Sequence, residues 1–166
     1  MGRLRSVVPD VALAALGVGF GAGSLGYPFG RDQGLYHYVA REWVLRGSVP
    51  YRDVLDHKTP GIYVLHAIAV ALFGPRMWGI RVLDFVCVIL LGVFGAAIAY
   101  RRGEPIPRGV RGAGVICASV LYYGFLDFWN SAQSEPWYGM LGLGAIWAAR
   151  RIGRDRVAAV ATGLFA

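Results

Sequence analysis

Asp32, Arg52, Asp56, His57, Lys58 and Glu135 are the side chains of this sequence whose types and placement could do chemistry together. A carboxylate can take a proton from a hydroxyl, and a cation can stabilise the charge that grows on a departing phosphate. Asp32 stands in Arg31-Asp32-Gln33-Gly34, and the stretch that follows ends in His57-Lys58-Thr59-Pro60-Gly61. Lys58 is the only lysine; every other basic residue is arginine. A compact ammonium beside a proline turn suits phosphate as a point charge. Asp32, Glu135 and Asp56 are therefore the candidate catalytic acids, and Lys58, His57 and Arg52 the candidate substrate-binding residues, with Arg76, Asp127 and Asn130 as weaker ones.

The elements that must position these residues are membrane-grade. Apolar residues make up 56% of the chain, charged residues 16%, and glycine 24 of 166 positions, a balance that suits a polytopic membrane protein and excludes a water-facing globule. Hydropathy marks four spans, Val7 to Tyr27, Val82 to Tyr100, Ala113 to Leu126 and Pro136 to Ala149. A hydrocarbon core of about 30 Å needs about 20 residues of helix, so the third and fourth reach across with their flanks. The basic, apolar start reads as an uncleaved first helix, its apolar run being longer than a signal core. Val157 to Ala166 begins a fifth apolar segment too short to cross, so the chain reads as the front portion of a larger protein.

Arginine placement predicts orientation. Arg3 and Arg5, then Arg101, Arg102, Arg108 and Arg111, then Arg150, Arg151, Arg154 and Arg156 form three short basic segments, which the charge rule puts in the cytoplasm. The net charge of +7 is then mostly a topology signal, with no stripe of interleaved aromatics for nucleic acid. The loop from 28 to 75 falls on the extracytoplasmic face. Within it Leu35, Val39 and Trp43, with Tyr36, Ala40 and Val44 beside them, predict an amphipathic interfacial helix closed by Gly47, while His37, Arg41 and Glu42 face elsewhere. Ile62 to Phe73, twelve apolar residues, predicts a second interfacial helix before the Gly74-Pro75 break. Cys87 and Cys117 lie at opposite depths and predict no disulfide.

Each candidate also has a structural reading. Asp32 can N-cap the helix starting near Gly34. Asp56 and His57 can belong to a turn, Lys58 can snorkel at the interface, and Glu135 can complement the helix dipole ahead of Pro136. Asp32, Asp56, His57 and Glu135 together could instead hold a divalent metal. Arg81 and Asp84, three apart at the mouth of the second span, predict a structural ion pair. Tyr122, Tyr123, Phe125, Phe128, Trp129, Trp137 and Tyr138 predict an interfacial aromatic belt.

Asp32-Gln33-Gly34, the amphipathic helix, Val49-Pro50-Tyr51-Arg52-Asp53, His57-Lys58-Thr59-Pro60-Gly61-Ile62-Tyr63 and Leu72-Phe73-Gly74, in that order, resemble the first outer loop of GT-C-fold membrane glycosyltransferases. The pattern is most similar to protein O-mannosyltransferase-like enzymes and the aminoarabinose transferase of lipid A, and runs from the first span to the fourth. Many relatives carry Asp-Glu where this chain has Asp32-Gln33, and Pro-Pro where it has Thr59-Pro60. The resemblance implies an all-α polytopic bundle forming a single membrane domain over residues 1–166. It implies inverting transfer of a sugar from a polyprenyl-phosphate donor to a glycan, lipid or protein acceptor on the extracytoplasmic face of the plasma membrane. It also places Asp32 at the glycosyl centre, an acid at Glu135 facing the same cavity, and Lys58 at the donor phosphate. The rival reading is a non-catalytic membrane protein, a transporter subunit or an inactive relative that binds lipid-linked sugar. Acids at the rim instead of mid-membrane favour the enzyme.

Overall fold

The computed structural model describes residues 2–54, 56–100, 104–126 and 128–150, and these are all-α. The helices are α1 (Gly2–Ala22), continued by a 3-10 turn at Gly23–Gly26, α2 (Arg31–Arg46), α3 (Pro60–Phe73), α4 (Met77–Ile98), α5 (Val110–Phe125) and α6 (Ser134–Ala149). The predicted fifth apolar segment, Val157 to Ala166, and the candidate Asp127 lie outside the described residues. Among the described residues two stretches are long and apolar enough to cross a membrane, Val7–Gly26 and Met77–Ile98. α5 and α6 have 16 residues each, about 24 Å of rise.

The long helices pack closely because glycines let their backbones touch. A methyl group at Gly17 of α1 would stand 2.7 Å from the Ile116 Cα of α5, and one at Gly92 of α4 would stand 2.5 Å from the Gly114 carbonyl oxygen. Small residues at such crossings let two helix backbones approach closely. Side chains tie the ends. Asp10 of α1 accepts the Arg111 and Gly112 N–H groups at 3.0 and 3.1 Å, satisfying two orphan donors at the start of α5. Arg150 donates to the carbonyls of Ile98 and Tyr100 at 2.6 and 2.7 Å, closing the end of α4.

α2 and α3 pack on each other, and α3 on α4, around a core of Tyr36, Val39, Ile62, Tyr63, Ile80 and Trp137. Gly47 ends α2 as its pattern predicts, in the left-handed region at φ 74° with its N–H on the Trp43 carbonyl at 3.1 Å. The face of α2 differs from the prediction. His37 and Glu42 are buried, while Leu35 and Val44 are about 40% exposed. Glu42 tolerates burial because Arg41 and Arg46 pair with it at 3.1 and 2.7 Å. His37 sits in an aromatic pocket, its ring 4.9 Å from Phe29 and 6.1 Å from His66.

Arg81 and Asp84 do not pair with each other through a direct contact, contrary to the spacing argument. Both are fully buried, and each serves the α5–α6 connection. Arg81 donates to Ser131 Oγ and the Pro28 carbonyl, both at 2.6 Å, and to the Phe128 carbonyl at 3.3 Å. Asp84 accepts the Tyr122 and Tyr123 hydroxyls at 3.0 and 3.1 Å and the Ala132 N–H at 3.1 Å. Tyr122, Tyr123 and Trp137 are thereby interior groups, whereas Phe125, Trp129 and Tyr138 keep the exposure expected of a belt. Cys87 and Cys117 are both free thiols.

Candidate active site

Three helix starts converge at one end of the bundle. Asp32 lies in the first turn of α2, Glu135 in the first turn of α6, and Lys58 just ahead of Thr59, which precedes α3 with Pro60 at its first position. Asp32 does not cap its helix: the N-cap is Gly30, no side-chain capping bond forms, and the carboxylate is exposed. Glu135 is likewise exposed, with Gln133 at the N-cap position. Both acids complement a helix N-terminus without being consumed by it.

Lys58 links them. Its ammonium lies 6.0 Å from the centre of the Tyr36 ring. The Tyr36 hydroxyl, and after it the carboxylates of Glu135 and Asp32, outweigh partial burial and hold the ammonium above the ordinary lysine range. The Tyr36 hydroxyl is buried without a regular hydrogen-bond partner among the described residues. Burial pushes its own pKa up against the opposing pull of Lys58. The site thus holds one cation over a tyrosine, within electrostatic reach of two solvent-facing carboxylates.

The turn ahead of α3 sets the position of Lys58. Tyr51 adopts φ 68°, a left-handed conformation uncommon for a bulky residue. Its N–H reaches the Val54 carbonyl at 2.8 Å and its hydroxyl the Lys58 carbonyl at 2.5 Å. Asp53 closes the same turn by accepting the Val49 N–H at 2.8 Å.

Asp56, Arg52 and His57 are occupied locally. The Asp56 carboxylate, 7% exposed, takes a short hydrogen bond from the Tyr63 hydroxyl, the His57 N–H at 2.7 Å, and an ion-pair contact from His57 Nδ1 at 3.0 Å. Burial works to raise its pKa, but these donors prevail and hold it below the ordinary range. A carboxylate so stabilised in its charged form is a poor proton acceptor, which suits Asp56 to orienting Tyr63. Burial and then Asp56 push the Tyr63 pKa up in turn. Arg52 pairs with Asp53 at 2.7 Å in the exposed turn. The Arg52 hydrogen bond, with the Val49 N–H, pulls Asp53 down to about 2. The His57 side chain is 86% exposed.

An apolar groove of about 280 Å³ opens beside this cluster between α3 and α6, lined by Gly61, Ile62, Leu65, Trp137, Tyr138 and Leu141. At its end Thr59 Oγ and the Tyr138 hydroxyl share a hydrogen bond of 2.8 Å, so the residue after Lys58 touches the groove wall. Sequence reasoning missed the residues that set this geometry, Tyr36, Tyr63, Gln33 and Ser131. Tyr36 and Tyr63 fell among helix-face apolar residues, and nothing local marked them. Among the described residues no three His, Cys, Asp or Glu side chains gather closely enough to hold a metal ion. Asp56 and His57 meet, and neither Asp32 nor Glu135 joins them.

Compared with protein-family models, characterised proteins and solved structures, the chain matches none.

Proposed function

We propose that this chain acts in sugar transfer at a membrane surface, as a GT-C-type glycosyltransferase using a polyprenyl-phosphate donor on the extracytoplasmic face. The observation that carries this reading is that Lys58, within electrostatic reach of Asp32 and Glu135, directly precedes Thr59, which touches the wall of an apolar groove between α3 and α6. A lipid-phosphate sugar needs such a combination: apolar walls for the chain, a cation for the phosphate and a free carboxylate near the sugar. In the reaction the acceptor oxygen forms a bond to the anomeric carbon. The bond from that carbon to the phosphate oxygen breaks, and its electron pair leaves with the polyprenyl phosphate next to Lys58. The acceptor hydroxyl proton passes to Asp32, which like Glu135 is exposed and without a competing hydrogen bond among the described residues, and which the resemblance puts at the glycosyl centre.

In this reading α1, α4, α5 and α6 cross the plasma membrane in alternating directions, with α2 and α3 lying in the outer interface over the bundle. The 16-residue α5 and α6 reach across with their flanks and local thinning. The arginine segments then stay cytoplasmic.

The test uses the chain reconstituted in liposomes with polyprenyl-phosphate mannose and polyprenyl-phosphate aminoarabinose as probes. Saturable binding of one of them, competed by free polyprenyl phosphate and followed by polyprenyl-phosphate release when acceptor extract is added, is the expected result. Absence of binding to either sugar and to polyprenyl phosphate removes the reading, and binding without release moves the chain to the non-catalytic class.

A further inference from the structure

Gln33 follows Asp32 directly, yet it turns into the protein and is fully buried. Its amide nitrogen donates to three backbone carbonyls of the α5–α6 connection, those of Phe128 at 3.0 Å, Trp129 at 2.7 Å and Ser131 at 2.7 Å. Carbonyl oxygens only accept, so these three neighbours fix which end of the amide carries the nitrogen. Two hydrogens serve three acceptors, so one bond is shared. The seam is also closely packed. A methyl group at Gly30 would stand 2.5 Å from the Gln33 Oε1 and 2.7 Å from the Trp129 ring.

The connection that Gln33 grips is itself rigidly held from other helices. Arg81 of α4 bonds Ser131 Oγ and the Phe128 carbonyl. Ala132 takes the left-handed region at φ 54° and gives its N–H to Asp84 and to the Tyr122 hydroxyl, at 3.1 and 3.0 Å. α6 begins two residues later at Ser134, and Glu135 is in its first turn. Asp84, Arg81 and Tyr122 therefore shape the connection, and Gln33 joins it to α2.

We propose that Gln33 is a positioning residue: by clamping the backbone at 128–131 it holds Asp32 on α2 in register with Glu135 on α6. This rests on the reading of those two acids as site residues. The clamp requires a neutral donor. A carboxylate in its place would set oxygen against three carbonyl oxygens, and a leucine would remove the one side-chain donor that all three share.

Two measurements test it, one independent of activity. In a Cys117→Ser background, spin labels at Leu35 of α2 and Gly142 of α6, both exposed positions, should give one narrow distance distribution in the otherwise unaltered chain. In Gln33→Leu that distribution should broaden, while a control pair at Val86 of α4 and Gly142 stays narrow, because the α4 anchors are intact. In Gln33→Glu it should be broad at pH 8 and narrow at pH 5, where the protonated acid regains a donor. In the transfer assay Gln33→Leu should lower kcat by about ten- to a hundredfold per folded molecule, the cost of misplacing a reacting group by about 1 Å, with donor KM unchanged. A narrow 35–142 distribution and unaltered kcat in Gln33→Leu overturn the proposal. Should Gln33→Leu not accumulate, Gln33→Glu decides alone: a distribution that ignores pH overturns it, and loss of both variants makes Gln33 a folding element instead. If the unaltered chain transfers no sugar, the functional reading fails while the distance measurements still decide the clamp.

Discussion

Replacing Lys58 by alanine removes the one ammonium of the candidate site and little else. Its backbone carbonyl keeps the Tyr51 hydroxyl at 2.5 Å whatever the side chain, and Thr59 keeps its bond to Tyr138 at 2.8 Å, so the turn and the start of α3 survive. Two losses follow. In the proposed reading a charge-assisted bond to the donor phosphate is worth about 1.5 to 3 kcal/mol. Asp32 and Glu135 also lose the cation that offsets them, and their charge then repels a phosphate. Lys58 is half-buried and solvent reaches the site, so screening places the net effect near the lower figure. At about 1.4 kcal/mol per tenfold, the donor should bind about ten- to thirtyfold more weakly. The assay is titration of the reconstituted chain with polyprenyl-phosphate mannose, followed by native mass spectrometry. Lys58→Arg restores most of the affinity because the charge returns. Since the ammonium is held above the ordinary lysine range, affinity of the unaltered chain should be flat from pH 7 to 9. Equal donor affinity in Lys58→Ala and the unaltered chain refutes the reasoning and leaves Lys58 as an interfacial anchor.

Four further outcomes follow from the same geometry. Asp32→Asn should accumulate normally, since Gly30 and not Asp32 is the N-cap, while sugar transfer falls at least about a hundredfold as expected for a lost general base; normal transfer would pass that role to Glu135. Tyr63→Phe removes a donor from Asp56 and should cost about 1 to 2 kcal/mol at neutral pH, read as a lower unfolding temperature in detergent. Because the donors hold the folded Asp56 pKa below its unfolded value, that contribution is present above the unfolded value and disappears as pH falls through the folded one, so the two proteins should converge in acid. His66 is fully buried with both ring nitrogens unpaired among the described residues, and burial, then His37 and Arg81, lowers its pKa to about 3. The unfolded chain takes up that proton near pH 6.5 and the folded one only near 3, so stability should decline by up to about 5 kcal/mol over that window. His66→Leu should flatten this part of the acid limb, and an unchanged limb would place the loss elsewhere. For topology, in a Cys117→Ser background a cysteine at Ser48 should react with an impermeant reagent added from outside and one at Arg108 should not; the reverse pattern refutes the orientation.

Local pattern determined much of this protein. Hydropathy and length marked five of the six described helices and four-residue periodicity marked α2, because these properties belong to contiguous residues. The φ-permissive glycine and the proline at the helix boundaries near Gly47 and Pro60 are equally local. The sequence also singled out Asp32, Lys58 and Glu135, because each sits in or just ahead of the first turn of a helix, where an acid or a following proline is a local signal. Partner choice was decided by tertiary structure alone. Arg81 and Asp84 are spaced for an ion pair, yet they bond the Ser131 and Ala132 region from two sides because α4 passes beneath that connection. Arg52 has the charge of a phosphate ligand but is paired with Asp53 in its turn. Asp56 has the chemistry of a base but is surrounded by donors that weaken it. Gln33 stands out in the sequence only as a departure from the Asp-Glu pattern, and its partners are 95 to 98 positions away. A buried polar group must find a partner, but which one it finds depends on how separate helices are placed, and that information is not carried by any local stretch of chain.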